Sequence, residues 1–142
     1  MVLDIVNYTF HTFFAALWAG STLFFAIAVV PAVSEADFEP VLGRFLWITR
    51  VSVLITLVTG GHLAGTLYTA DTLTGTTPGY LVLAMLVLWL ALAAIIEMGA
   101  AKAKRSNTPA TTFSTFLAGG ALVAIGLLVV AGLLGANRMV GL

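Results

Sequence analysis

Four stretches of this chain are long and apolar enough to cross a lipid bilayer, and that property excludes most folds. A membrane-crossing helix needs about 20 apolar residues, and in lipid each backbone N–H and C=O must find its partner inside the segment. The stretches run from about Ile5 to Val30, Phe45 to Thr69, Tyr80 to Ala100 and Thr112 to Ala136. The first closes at Pro31. The second follows the polar run Ser34-Glu35-Ala36-Asp37-Phe38-Glu39-Pro40, and the third follows a Thr/Gly-rich turn ending in Pro78-Gly79. The expected fold class is therefore all-α: an integral membrane, antiparallel four-helix bundle forming a single domain over residues 1–142. The first stretch is too long for a signal peptide, and no Lys or Arg precedes it.

Composition agrees with this reading. Hydrophobic residues make up 61% of the chain and charged residues 8%, against about 25% charged in soluble domains. Basic and acidic residues balance at six each, so no nucleic-acid partner is expected. Cysteine is absent, which excludes disulfides, thiolate metal sites, iron–sulfur clusters and covalent haem attachment. A metal here must be held by His, Met, carboxylate, hydroxyl or backbone groups.

Basic residues orient the chain. Lys102, Lys104 and Arg105 lie between the third and fourth spans, and Arg44 and Arg50 at the start of the second. The connection between the second and third spans has none, and Arg138 alone follows the fourth. The positive-inside rule then puts both termini on the outer side. The location expected is a prokaryotic cell membrane, crossed several times.

The two histidines, His11 and His62, are the only ones in the chain, and both lie inside apolar spans. Ionisable residues within a membrane are costly and mark a functional site by default. His11 stands about six residues from the outer end of the first span and His62 about seven from that of the second. At 1.5 Å per residue both lie roughly 9–11 Å below the outer boundary, a matched pair suited to a shared ligand. His62 sits in Gly60-Gly61-His62-Leu63-Ala64-Gly65, where Gly61 and Gly65 leave room for a flat macrocycle; the same run also reads as small-residue helix packing. Phe10, Phe13, Phe14 and Trp18 offer aromatic walls beside His11. The alternative is that each histidine fastens helices by bonding a carbonyl or hydroxyl, but two at matched depth favour a shared ligand.

A bis-histidine haem b is the leading ligand, one per chain or shared across a homodimer, and its saturated iron favours electron transfer. Copper is the alternative, but Met1, Met85, Met98 and Met139 do not converge on the histidines. Arg138 either caps the last helix or pairs with haem propionates. Tyr8, Asn7 and Tyr68 can add hydrogen bonds or anchor the chain in the interface. Arg50 and Glu97 are expected to snorkel separately to the interface rather than pair inside the molecule.

The run His11-x6-Trp18-x-Gly20 with Pro31, then Arg44-Phe45 and Thr59-Gly60-Gly61-His62, resembles the copper-resistance protein D family over the first two spans. The His-x6-Trp pattern is also similar to that of the four-helix, haem b-containing membrane protoporphyrinogen oxidases, although the third span, around Trp89, lacks their basic residue. Both resemblances imply a small four-helix membrane scaffold holding haem through helix-borne histidine.

The expected role is an oxidoreductase or electron carrier near the outer face, set in the lipid bilayer between a quinol and an external redox partner. A copper-handling transporter or accessory protein, or a non-catalytic structural or assembly subunit, are the alternatives.

Overall fold

The computed structural model describes residues 2–140, with the side chains of Arg138 and Val140 outside the description. Among the described residues it is all-helical, with 88% in helix and no strand. Helix α1 spans Val2–Phe24 and runs on as a π-helical turn, Phe25–Val29. Helix α2 spans Phe38–Leu67, the short α3 Ala70–Gly75, α4 Thr77–Ala103 and α5 Pro109–Val140. The α1–π unit, α2, α4 and α5 are each long and apolar enough to cross a membrane.

Their boundaries differ from the sequence reading in instructive ways. Helix α2 starts about seven residues early, absorbing Phe38-Glu39-Pro40. Pro40 is tolerated because it occupies the first turn, where backbone N–H groups have no intrahelical acceptor to lose. At the far end of α1 the last helical bond runs five residues back, from Val30 N–H to the Phe25 carbonyl at 2.9 Å. Pro31, which has no N–H, follows directly, and the wide turn marks where regular helix stops.

The α2–α4 connection is not a plain loop. Thr69 and Thr72 form a reciprocal capping box that starts α3. The carbonyls of Thr72 and Leu73 lie so close to Gly79 that a Cβ there would overlap them, so glycine is required at that position. Helices α4 and α5 meet closely where Gly99 faces Phe116, with 2.7 Å between a would-be Cβ and the Phe116 Cβ. Small residues at helix contacts are how membrane helices gain packing energy when water supplies no driving force.

The best-packed region lies where the π-turn meets the starts of α2 and α5. Phe25 stacks on Phe45 with ring centroids 4.2 Å apart, and Phe113 sits edge-on to both at 6.1 Å. Phe38 and Phe113, centroids 5.9 Å apart, are fully buried. Beside this cluster the Glu35 carboxylate clasps the start of α5. It accepts hydrogen bonds from the Ala110 N–H at 2.7 Å, the Thr111 N–H at 3.1 Å and the Thr111 hydroxyl at 2.9 Å. These donors, the Ala110 N–H foremost, hold the Glu35 carboxyl below its ordinary range.

Candidate functional site

The buried face of α2 changes character along its length. Phe38, Leu42, Phe45 and Leu46 line its first half, and Thr49, Ser52, Thr56 and Thr59 its second. These hydroxyls recur every three or four residues, so they form one polar seam. Thr59 donates its hydroxyl proton to the Ile55 carbonyl at 2.6 Å. Thr56 donates likewise to the Ser52 carbonyl at 2.7 Å and accepts from the Trp89 indole N–H at 3.0 Å.

His11 meets this seam from α1. Its Nδ1 is 3.0 Å from the Thr59 hydroxyl oxygen. Because the Thr59 proton is directed at Ile55, that oxygen acts as acceptor and His11 Nδ1–H as donor. In the neutral imidazole the lone pair then resides on Nε2. The ring lies over Gly60, where a Cβ would come within 2.9 Å of His11 Cε1. Glycine at 60 is what admits the imidazole.

His62 stands one turn further along α2. About a third of its side chain is exposed (35%), and its Nε2 stands 3.7 Å from an Asp4 carboxylate oxygen of α1, beyond hydrogen-bond range. That nitrogen has no hydrogen-bond partner among the described residues and is itself covered. The two histidines thus share the α1–α2 seam, but they are not level. His11 lies nine residues after the start of α1 and His62 five before the end of α2. The matched depth read from sequence gives way to an offset of about one turn, or roughly 6 Å, because α1 begins before the apolar run read from Ile5 whereas α2 stops at Leu67, short of Thr69.

The other expected site residues scatter. Gly61 and Gly65 have open space where a Cβ would stand. Tyr8 is exposed, as are Phe10 and Phe13. The Arg138 side chain lies outside the described residues. Trp18 is buried two turns along α1 from His11, edge-on to Trp89 with centroids 5.9 Å apart. Among the described residues no three or more His, Asp or Glu side chains gather as a metal site.

Arg50 and Glu97 do not snorkel separately. Arg50 Nε and Nη2 each donate to one Glu97 oxygen at 2.8 Å, a bidentate pair joining α2 to α4. The planar fork of guanidinium fits a carboxylate, and two opposite charges in an apolar span cost less together than apart. Sequence reading weighed this pairing against separate snorkelling and favoured the latter, and it missed the hydroxyl seam. The spacing 49, 52, 56, 59 was the visible signal for the seam.

No family model matches this chain, and neither a curated protein nor a solved structure matches it.

Proposed function

We propose that this chain is a multi-pass membrane b-type haem protein whose His11 and His62 provide the axial nitrogens, acting in electron transfer. One observation carries the reading: two imidazole Nε2 atoms in a single helix seam, one holding its lone pair through the Thr59–Ile55 relay and one without a hydrogen-bond partner. A ligating histidine characteristically donates its other ring N–H to a fixed acceptor, which sets the tautomer and ring orientation. Thr59 performs that service for His11. The open sides of Gly61 and Gly65 suit the close approach of a flat group, and Tyr8 stands at the same end of α1. Bound haem would supply one-electron chemistry; of the chain's own residues, Thr59 would hold the His11 ring in place.

An antiparallel bundle with both termini outside accompanies this proposal. The cross-helix pairs His11–Thr59, Glu35–Ala110 and Arg50–Glu97 support the antiparallel order, and the Lys/Arg distribution supports the orientation.

A second reading has its own observation. The imidazole of His11 seated on Gly60 and bonded to Thr59 fastens α1 to α2, as a structural subunit would require. The visible spectrum decides between them. Protein purified in detergent from haem-sufficient cells is expected to show a sharp low-spin b-type spectrum on dithionite reduction, lost in both His11→Ala and His62→Ala. A colourless, folded protein would overturn the haem reading, and metal analysis would then test for copper.

A further inference from the structure

Where α4 gives way to α5 the chain carries three cations within four residues, Lys102, Lys104 and Arg105, all exposed at the junction of two helices apolar enough to cross a membrane. The turn that bears them is ordered by its own backbone. The Lys104 N–H donates to the Ala100 carbonyl at 3.1 Å, the Arg105 N–H to the Lys102 carbonyl at 3.1 Å and the Ser106 N–H to the Ala103 carbonyl at 3.0 Å. Lys102 is seated further. Its ammonium stands 5.9 Å from the centroid of the Phe116 ring, and α5 holds that residue hard against Gly99 of α4. An ammonium over a ring face is held in place while its N–H donors remain free for another partner.

None of the three cations has a carboxylate within ion-pair distance among the described residues, although acids lie at the same end of the molecule. Those acids are engaged elsewhere. Glu35 accepts from the start of α5, and Asp37 accepts the Ser34 hydroxyl at 2.6 Å. Glu97 is bound by Arg50, so Lys104 interacts with it only at longer range. Glu39 lies in the first turn of α2, where a carboxylate complements the helix dipole. Directly below the cations the surface is apolar: Met98, exposed, stands four residues before Lys102 on the same face of α4. Cations above and apolar surface below match a molecule with an anionic head and a hydrocarbon tail. A guanidinium beside two ammoniums suits phosphate oxygens. We infer that this turn binds an anionic phospholipid, its phosphate held by Lys102, Lys104 and Arg105 and an acyl chain lying along Met98. The site is independent of the histidines and of any group they hold.

The test titrates the full chain in dodecyl maltoside with phosphatidylglycerol or phosphatidylcholine of matched acyl chains and counts bound lipid by native mass spectrometry. Phosphatidylglycerol is expected to bind about tenfold more tightly or better, because each cation beside an anionic headgroup contributes roughly fivefold in affinity. Lys102→Gln and Arg105→Gln should each cut the preference by about that factor, and exchange of all three cations for Gln should abolish it. Arg44→Gln removes the same charge from an exposed position of α2 at the same end, and should change the preference less than about twofold, since a charge outside the site is screened by solvent. Circular dichroism and a single elution peak verify that each variant is folded. Equal binding of the two lipids, or a preference unchanged in both single variants, would overturn the inference. So would an Arg44→Gln effect as large as theirs, which would mean a general surface charge rather than a site. Loss of the preference when inorganic phosphate replaces chloride at equal ionic strength would also overturn it, by assigning the turn to a soluble anion.

Discussion

At one end of the molecule four phenylalanines from three chain segments interlock, and a carboxylate from the first connection closes the start of the last helix. At the other end the contacts between α1 and α2 include a histidine on a glycine, a threonine hydroxyl and a carboxylate that stands off its imidazole. Dispersion and ring geometry hold the first end, where rings in contact fill space with no polar atom left over. The second end retains polar atoms whose hydrogen-bonding capacity is only partly used. Close ring packing and unpartnered polar atoms thus occupy different thirds of the same helices, so polar groups at one end can be under-satisfied without loosening the scaffold at the other.

The sharpest way to break this comparison is to cut into both ends equally. Phe113→Ala removes the ring that Phe25, Phe38 and Phe45 all touch. It should cost about 3 kcal/mol or more in denaturant unfolding in micelles, while His62→Ala should cost less than about 1 kcal/mol. Comparable losses would mean that the histidine end carries as much of the fold as the phenylalanine end.

A finer cut contrasts neighbouring glycines. Gly60→Ala drives a methyl into the His11 ring, 2.9 Å from Cε1, and should cost about 1–3 kcal/mol along with any spectrum that depends on His11. Gly61→Ala meets open space and should change stability by less than about 0.5 kcal/mol. Equal responses would show that His11 is free to leave its seat.

The smallest effect concerns the exposed clasp. Glu35 is held below its ordinary value of 4.5 in the folded chain. Its contribution is therefore fully present above that value and is lost as pH falls through the lowered one. Stability of the wild type should decline across that acid window, and Glu35→Gln should flatten the decline, read as unfolding midpoint against pH. An unchanged slope would remove Glu35 from the structure's acid sensitivity.

Much of the architecture is legible in the sequence because lipid imposes it: length and hydropathy alone identify four apolar helices. Their ends are not legible by the same rule. Phe38-Glu39-Pro40 looks like loop, and becomes helix because a first turn needs no donors. The Arg50–Glu97 pair separates residues 47 positions apart, and only the way α2 approaches α4 brings them together. For the site, sequence singles out His11 and His62 but not their partners. The Thr59 hydroxyl decides which nitrogen of His11 carries the lone pair, and that depends on a rotamer rather than on composition. Trp18, grouped with His11 by spacing along one helix, packs edge-on against Trp89 and lines the same groove as Arg50 and Glu97.

The Glu35 clasp spans 75 positions to Ala110, and Phe113 enters the ring cluster from the same late segment. During synthesis the first two helices emerge long before either contact can form. The hairpin of α1 and α2 must therefore wait, with Phe25, Phe38 and Phe45 uncovered, until the fifth helix arrives. The most tightly built part of the molecule is thus the last to be completed, and a chain interrupted before Pro109 would expose three aromatic rings to whatever surveys unfinished membrane proteins.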